Sequence, residues 1–449
     1  MNNSDLAIII LAAGKGTRMK SSKHKVLHPL GGRPMLHHLM DTAAPLKPQR
    51  KVIVVGAGKE QVEASVGDQA DIVVQEPQLG TGHAVQVTKD KLGDFDGDVL
   101  ILYGDVPLIT QETMQKMIDT RAKTNAAVVV LGFTPNDAKA YGRLKVNGDG
   151  NLDAIIEYKD ANASEREITL CNSGIMSLSG AHMFELLDAL DNSNASNEYY
   201  LTDVVEIANS KNLVCAVVEA GEQEVMGVNS RSELAEAEAV FQASRRQYFM
   251  DEGVTLTDPS SVYFSHDTVI GRDVTIGPNV FFGSGVKVAD NVTINAFCHL
   301  EGATIGAGSS VGPFARLRPA AELGTGVKVG NFVEIKKAKI EDGAKVSHLS
   351  YIGDARVGKN ANIGAGTITC NYDGYFKYHT DIGEGAFIGS NSALVAPVNI
   401  GDGAIVGAGS VVTSEVSKDA LAVGRGKQRE IGGWAAKFRT TQQAKKDNK

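Results

Sequence analysis

The chain contains 449 residues, of which 43% are hydrophobic and 22% charged, and its formal net charge is −8. This length is too great for one ordinary hydrophobic core, so we expect two or three domains of a soluble globular protein. The negative charge excludes a general attraction to nucleic acid, so any phosphate must be bound by local basic clusters. The four cysteines are far apart and lack Cys-x-x-Cys spacing, which argues against a zinc site or a disulfide framework.

The N-terminal segment carries no targeting pattern. No basic region precedes its short apolar stretch, and no run in the chain reaches the roughly 18 apolar residues of a membrane span. We therefore expect a cytoplasmic protein without a membrane span.

From residue 5 to about 229, apolar segments alternate with helical patterns. The segments AIIILAA, KVIVVG, ADIVVQ and DVLILYGD are near-continuous runs of Val, Ile and Leu, and a helix is predicted through PMLHHLMDTA. Such runs between helices predict a mostly parallel sheet that is covered on both faces and binds ligands at the carboxyl ends of its strands. The turns AAGKG and YGD follow two of these strands, so we expect them to converge.

The stretch LAAGKGTRM, at residues 11–19, is the first candidate ligand site. A dinucleotide fingerprint requires a third glycine where this chain has Met19, and a P-loop requires four residues between glycines that are here separated only by Lys15. What is left is a tight basic turn, which serves either as a plain connection or as a polyphosphate site formed by backbone N–H groups, Lys15 and Arg18.

Residues 230–253 are rich in Ala, Glu, Leu and Arg and contain no proline. This composition predicts one helix that joins the two halves of the chain. Its expected packing positions are Leu234, Val240, Phe241 and Tyr248.

The C-terminal half repeats an aliphatic or aromatic residue every six positions. Because this period is neither 3.6 nor 2, we interpret each hexad as one short strand plus a corner of a parallel β-helix, an architecture that resembles the left-handed β-helices. Glycine follows most of these residues, as in IGRDVT and VGAGSV, and allows the backbone conformations of the corners. The 21 predicted core positions are Ile270, Ile276, Phe282, Val288, Ile294, Ile305, Val311, Leu317, Leu323, Val329, Ile335, Val346, Ile352, Val357, Ile363, Ile382, Ile388, Leu394, Ile400, Val406 and Val412.

Three charged or titratable residues depart from this repeat. Arg318 and Lys336 replace the small residue expected after a core position and lie eighteen residues apart, about one coil, on one wall. They suit a phosphate, and two solvated surface charges are the alternative. His348, near the level of Tyr351, is then a candidate general base. The segment 367–381 interrupts the repeat, so we expect a loop that covers or completes a site.

Together these motifs resemble a known enzyme family. The signature of sugar-1-phosphate nucleotidyltransferases, Leu-x-x-Gly-x-Gly-Thr-Arg-Met, is intact from Leu11 to Met19. With the hexapeptide repeat and the motifs LGTGHA, YGDVPL, GVNSR and CNYDG, nearly the whole chain resembles bacterial bifunctional N-acetylglucosamine-1-phosphate uridyltransferases/glucosamine-1-phosphate N-acetyltransferases. The resemblance implies a Rossmann-like α/β nucleotidyltransferase domain followed by a left-handed β-helix, and synthesis of UDP-N-acetylglucosamine for cell-envelope precursors.

For the α/β half, the resemblance implies uridylyl transfer from UTP to N-acetylglucosamine-1-phosphate. Arg18 and Lys25 would neutralise the triphosphate, and Gln75 would contact the uracil. Asp105 and Asn229 would hold Mg²⁺. The implied nucleotide and sugar positions are Leu11, Ala12, Ala13, Gly14, Lys25, Gln75, Gly80, Thr81, Tyr103, Gly104, Asp105, Gly142, Glu157, Asn172 and Asn229.

For the β-helix, the resemblance implies acetyl transfer from acetyl-CoA to glucosamine-1-phosphate, with His348 as general base. The family assembles as trimers with this site built from neighbouring subunits, which implies a homotrimer. The implied sugar-phosphate ligands are Arg318, Lys336, Tyr351 and Asn362, and the implied acetyl-CoA contacts are Ala365, Asn371, Tyr372, Ser390, Ala408 and Arg425.

The same resemblance divides the chain into a nucleotidyltransferase domain at 1–229, a helical linker at 230–253 and an acetyltransferase domain at 254–449. Two alternatives stay open. One is a single-activity sugar-1-phosphate nucleotidyltransferase with a structural β-helix, against which the cations and the histidine of the β-helix argue. The other is a non-enzymatic scaffold similar to the nucleotidyltransferase-like subunits of the eukaryotic translation exchange factor, against which the intact basic and acidic residues of the first half argue.

Overall fold

The structure is a computed structural model that describes residues 5–14, 16–138, 141–194 and 196–447. The chain divides into two units whose boundary falls between Arg245 and Arg246. This boundary lies within one helix, Arg231–Asp251, so the segment predicted to be helical contributes to both units.

The N-terminal unit is built on one sheet whose strands run in the order β11-β7-β10-β6-β1-β4-β5, with β8 beside β10 and β9 beside β8. The strands of this sheet are β1 (Leu6–Ala12), β4 (Arg50–Val55), β5 (Asp71–Val74), β6 (Asp98–Tyr103), β7 (Val128–Phe133), β8 (Arg143–Val146), β9 (Leu152–Ile156), β10 (Cys171–Ser179) and β11 (Cys215–Ala220). Two further strands, β2 (Pro29–Leu30) and β3 (Arg33–Pro34), pair with each other in a separate antiparallel sheet. The helices of this unit are α1 (Met35–Ala43), α2 (Lys59–Val66), α3 (Thr81–Gln86), α4 (Lys89–Leu92), α5 (Gln111–Thr124), α6 (Ala163–Arg166), α7 (Gly180–Asp188), α8 (Val204–Ser210) and the first part of α9 (Arg231–Asp251).

The strands of this sheet are mostly parallel, as the apolar runs predicted. Along the main path only β10 is antiparallel to its neighbours, β6 and β7. Ile8 and Ile10 of β1 enter one apolar cluster and Ile9 enters the other, so helices cover both faces. The carboxyl ends of β1 and β6 therefore lie side by side at one edge of the sheet.

The C-terminal unit stacks short parallel strands into three ladders. The first ladder contains β12 (Thr255–Leu256), β14 (Thr275–Ile276), β17 (Thr293–Ile294), β20 (Ser310–Val311), β23 (Lys328–Asn331), β25 (Lys345–His348), β27 (Asn362–Ile363), β30 (Phe387–Ile388), β33 (Ile405–Val406) and β35 (Leu421–Ala422). The second contains β13 (Val269–Ile270), β16 (Lys287–Val288), β19 (Ala303–Ile305), β22 (Ala321–Leu323), β24 (Glu334–Ile340), β26 (Tyr351–Val357), β29 (Thr380–Ile382) and β32 (Val398–Ile400). The third contains β15 (Phe281–Phe282), β18 (His299–Leu300), β21 (Arg316–Leu317), β28 (Ile368–Cys370), β31 (Ala393–Val395) and β34 (Val411–Val412), and also shares β24 and β26. Helix α10 (Trp434–Asp447) follows.

The hexad positions form the core of this unit. All 21 predicted positions except Ile270 are buried, and Ile270 is partly buried against the same core. Leu300 and Ile340 also enter the core at the places where the six-residue count slips. Thr369 takes a core position although it is polar, because its hydroxyl group accepts a hydrogen bond from Gly353 N–H at 2.8 Å.

Two expectations about local structure need correction. Strands β28 and β29 occupy both ends of the segment 367–381, so only residues 371–379 leave the ladders. Tyr248 is not a packing position, because its side chain is 52% exposed and the adjacent Phe249 is the residue buried in the C-terminal core.

No helix in the described stretches combines the length and the apolar character that crossing a bilayer requires.

Candidate active sites

A cleft of about 420 Å³ lies at the carboxyl ends of β1 and β6. It gathers ten of the residues predicted for the nucleotide and sugar: Leu11, Ala12, Ala13, Gly14, Lys25, Gln75, Gly80, Thr81, Tyr103 and Asp105. Ala84 of the LGTGHA motif also lines it, together with Val26, Gln78 and Glu198, which no sequence pattern marked. The Gln78 amide donates to the Ala13 carbonyl across the mouth of the turn.

Backbone hydrogen bonds bring three distant motifs to this cleft. Gly104 N–H donates to the Leu11 carbonyl at 3.0 Å, which joins the YGD turn to the glycine-rich turn. Val228 N–H donates to the Asp105 carbonyl at 2.8 Å, which places Asn229 beside that carboxylate. The predicted convergence of AAGKG and YGD is confirmed.

The ammonium group of Lys25 lies at the centre of these motifs. It donates to Asp105 Oδ2 at 2.5 Å and to Asn229 Oδ1 at 3.0 Å. The Lys25 and Asp105 side chains are only 12% and 17% exposed, so the surroundings screen their attraction less than bulk water would. Gly16 allows this placement, because its φ of +59° is left-handed and an added Cβ would lie 2.8 Å from Lys25 Cβ.

One wall of the cleft is polar and rigid. Gln75 is buried, and its Nε2 donates to the Gly80 carbonyl at 2.8 Å, so its amide oxygen can accept from a ligand. Gly80 has a φ of +113°, and an added Cβ would lie 2.6 Å from the Tyr199 carbonyl oxygen. The backbone conformation and the close contact with Tyr199 therefore require glycine at position 80, the first glycine of LGTGHA.

Gly142, Glu157 and Asn172 form a second group beside the cleft. Asn172 N–H donates to the Gly142 carbonyl at 2.8 Å, and an added Cβ on Gly142 would lie 3.5 Å from Glu157 Oε1. The pKa of Glu157 is raised, chiefly because its carboxyl group is buried and to a smaller extent by the negative charge of Asp160. The pKa of Tyr103 is raised, chiefly because the phenol is buried and to a smaller extent because the Asp105 and Glu157 carboxylates lie near it. The phenol therefore lies within the field of both carboxylates.

Arg18 of the opening turn is not among the described residues that line the cleft. Arg18 is exposed on the short 3-10 helix Thr17–Met19. Lys15 lies outside the described residues.

On the β-helix, Arg318 and Lys336 lie side by side on the third ladder. Leu317 pairs with Ile335, so the residues that follow them are one coil apart, as their spacing predicted. Arg318 Nη1 donates to Glu334 Oε1 at 2.8 Å. The nearby Lys336 ammonium lowers the pKa of Lys377, a residue of the 371–379 loop that the sequence analysis did not select.

His348 belongs to a straight row of residues that we call the corner column. Each member stands two positions after an inward residue of the first ladder, and the ladder register stacks them. The carbonyl of each of the first four accepts from the N–H of the residue that follows the next member. The column comprises Asn331, His348, Ala365, Ser390 and Ala408, and Arg425 Nη1 donates to the Ala408 carbonyl at 2.6 Å.

The neighbour of His348 in this column sets its tautomer. His348 Nδ1 lies 2.6 Å from Asn331 Oδ1. An amide oxygen only accepts, so the imidazole donates from Nδ1 and its Nε2 carries a lone pair. Asn331 is the last residue of β23, and no motif distinguished it.

The remaining predicted residues are spread over different surfaces of one chain. Asn371 is buried behind Tyr351, whereas Tyr372 is 60% exposed on the loop. Asn362 pairs with Lys345 on the first ladder, while Arg318 and Lys336 lie on the third. One chain therefore does not bring Asn362 beside these two cations.

Comparison with known proteins matches both halves of the chain. Residues 8–169 match the MobA-like NTP transferase domain, residues 267–302 the bacterial transferase hexapeptide (six repeats), and residues 380–414 the hexapeptide repeat of succinyl-transferase. The bifunctional protein GlmU of Paramagnetospirillum magneticum is 58% identical and covers 100% of both chains. Those of Sphingopyxis alaskensis and Zymomonas mobilis are 56% and 52% identical and cover 99% and 97% of this chain and 98% of their own.

The chain belongs to the bifunctional GlmU family. As a member of the GlmU family it is an enzyme with two transferase activities: acetylation of glucosamine-1-phosphate from acetyl-CoA, and uridylyl transfer from UTP to N-acetylglucosamine-1-phosphate. The predicted fold class, an α/β nucleotidyltransferase followed by a left-handed β-helix, is confirmed. The single-activity and scaffold alternatives are set aside, because the full-length relatives are bifunctional GlmU proteins.

Proposed function

We propose that uridylyl transfer takes place in the cleft at the ends of β1 and β6. The observation that carries this proposal is the Lys25 ammonium held between Asp105 and Asn229 beside the glycine-rich turn. Lys25 binds the α- and β-phosphates of UTP, and Arg18 reaches in from the surface as the sugar phosphate attacks the α-phosphorus and pyrophosphate leaves. Such a reaction depends chiefly on positioning and on neutralising developing negative charge.

The donor set of this cleft suits Mg²⁺. The Asp105 carboxylate and the Asn229 amide oxygen converge on one cation, the Lys25 ammonium, and Mg²⁺ prefers such hard oxygen ligands. These two residues would hold the ion, which when bound neutralises phosphate charge. Backbone groups of residues 11–14, Gln75 and Gly80 hold the uridine, with the Gln75 amide oxygen accepting from the uracil N3–H.

The sugar binds at the group formed by Gly142, Glu157 and Asn172. Glu157 accepts from a sugar hydroxyl or the N-acetyl N–H group, and Asn172 orients it. Thr81, Tyr103 and Gly104 complete the wall between sugar and nucleotide.

Acetyl transfer takes place along the corner column. His348 Nε2 takes a proton from the ammonium of glucosamine-1-phosphate, the freed amine attacks the thioester carbonyl, and the CoA thiolate leaves. Arg318, Lys336 and Tyr351 bind the sugar phosphate. The narrow side chains of the column accept the pantetheine arm along their length, with Arg425 facing the phosphates of the cofactor; the full set of proposed cofactor contacts is Ala365, Asn371, Tyr372, Ser390, Ala408 and Arg425.

The enzyme acts as a homotrimer in which Asn362 of one copy completes the sugar-phosphate site of another. The separation of Asn362 from Arg318 on different ladders supports this assembly. The domains are 1–229 for uridylyl transfer, 230–253 as linker and 254–449 for acetyl transfer, in keeping with the spans of the matched families. The enzyme works in the cytoplasm, where its co-substrates UTP and acetyl-CoA are available.

The full chain, incubated with acetyl-CoA, glucosamine-1-phosphate, UTP and MgCl₂, tests these assignments. We expect UDP-N-acetylglucosamine, with EDTA blocking its formation but not the release of CoA thiol. Uridylyl transfer that survives EDTA would overturn the metal assignment. Co-expressed Arg318→Ala and Asn362→Ala chains should regain part of the acetyl transfer that each lacks alone; a sedimenting monomer with full activity would overturn the shared site.

A further inference from the structure

Asp354 is a buried carboxylate behind the sugar-phosphate site. It stands at the corner between the third and second ladders with a φ of +48°, and its side chain is only 8% exposed. Its Oδ1 lies 3.5 Å from Lys337 Nζ, and its charge also acts on Lys377. A carboxylate at this depth must be held by hydrogen bonds or cations, so its partners indicate its role.

The nearest partner of Asp354 is Asn371. Asn371 Nδ2 lies 2.6 Å from Asp354 Oδ2 and 3.4 Å from Tyr351 Oη, and Asn371 itself is 7% exposed. An ionised carboxylate only accepts, so it fixes which end of the Asn371 amide faces inward: the NH₂ group. One N–H of that group donates to Asp354 and the other points at Tyr351.

The orientation of Asn371 determines what Tyr351 can do. Because the phenol oxygen of Tyr351 accepts a hydrogen bond from Asn371, the O–H hydrogen of Tyr351 is left to donate to another group. Tyr351 lies above Gly353, where any Cβ would collide with the phenol oxygen, and Gly353 pairs with Lys336. The phenol thus lies beside the strand that carries Lys336, one of the two cations proposed to bind phosphate.

We infer that Asp354 is a positioning residue for acetyl transfer, which acts through Asn371 to direct the Tyr351 hydroxyl hydrogen towards the phosphate of the amine substrate. This inference rests on the proposed function of Tyr351. The carboxylate does not touch the substrate; it decides that the phenol meets an anion as a donor and not as an acceptor.

The test is Asp354→Asn in the full chain, because an amide of the same shape no longer dictates the orientation of Asn371. We expect the KM for glucosamine-1-phosphate to rise about tenfold, the effect of one hydrogen bond to a charged group. The kcat of acetyl transfer should change much less, and uridylyl transfer by the same polypeptide should be unchanged. Asp381→Asn is the matched control: it is also a carboxylate of the β-helix, but it pairs with Arg356 on the second ladder.

Tyr351→Phe separates positioning from a structural role. When the chain already carries Tyr351→Phe, the Asp354→Asn change should raise KM less than twofold, because the hydrogen it orients is gone; independent tenfold effects in both backgrounds overturn the inference. If Tyr351→Phe alone leaves the KM for glucosamine-1-phosphate unchanged, the proposed function of this residue fails instead. Should Asp354→Asn not fold, as judged by circular dichroism and thermal unfolding of the purified chain, Asn371→Ala measured with and without Tyr351→Phe reads the same coupling.

Discussion

The cleft of the N-terminal unit and the corner column of the C-terminal unit assemble their functional groups in different ways. The cleft joins Gly14, Lys25, Asp105 and Asn229, which the sheet order brings together from more than two hundred residues of sequence. The column takes one residue from each successive coil, at the same position of the repeat. Sequence motifs therefore predict the residues of the cleft, whereas breaks in a periodic pattern indicate the residues of the column.

The sharpest way to separate the two regions is His348→Ala. We expect acetyl transfer to fall by about a thousandfold, because the amine loses the general base that we propose for it, while uridylyl transfer from supplied N-acetylglucosamine-1-phosphate continues. Release of CoA thiol and of pyrophosphate measures the two reactions. His299→Ala, an exposed histidine of the same β-helix, is the control; equal loss of both activities in His348→Ala would contradict separate sites.

Lys25→Ala is the reciprocal change. Removing the ammonium should lower uridylyl transfer by about a hundredfold, since the triphosphate loses a preorganised positive charge. Acetyl transfer should be unaffected. The exposed Lys23→Ala provides the matched control, and a drop in thiol release with Lys25→Ala would show that the units are not independent.

Gly16→Ala tests the backbone under the cleft. An alanine at φ +59° costs about 1–2 kcal/mol and pushes against Lys25 Cβ, so uridylyl transfer should fall about tenfold. Gly148→Ala, at a turn with open space around the added Cβ, should leave both activities unchanged. A normal rate in Gly16→Ala would show that the turn accommodates a side chain after all.

Asp381→Asn should have the smallest effect, a loss of less than about 1 kcal/mol of unfolding free energy, because a third of each partner in this ion pair is exposed. The Arg356 guanidinium lowers the pKa of Asp381. Its stabilisation is therefore complete above the unfolded pKa of about 4 and is lost as pH falls through the lower folded pKa. Urea unfolding at pH 7 and below pH 3 should show the wild-type advantage only at pH 7.

Much of the fold was predictable because its signals are local or periodic. Hexad spacing identified the buried positions of the β-helix, and the same spacing placed Arg318 beside Lys336. Leu300 and Thr369 were missed, the first because the count slips next to it and the second because a polar residue breaks the apolar pattern. The prediction that Tyr248 is a packing position was wrong, because helical periodicity alone does not show which of two adjacent residues, Tyr248 or Phe249, packs against a core.

The candidate sites were predictable only where chemistry is written into a motif. The residues of the glycine-rich turn, YGD and GVN could be identified from their motifs. Gln78 and Glu198 also line the cleft, but no sequence signal marks them. Asn331 contacts His348 and Asp354 contacts Asn371 from strand positions that no motif marked. Such residues become visible only through a partner one coil away.

The sequence by itself determined the two architectures, the glycines that their turns demand, and the charged residues that interrupt the repeat, because each depends on the backbone preferences and side-chain period of a short segment. Only the tertiary structure decided that the Lys25 ammonium lies between Asp105 and Asn229, and that His348 donates to Asn331. The physical reason is that a hydrogen bond depends on distances of a few tenths of an ångström between distant segments, which the strand register sets and no local pattern encodes.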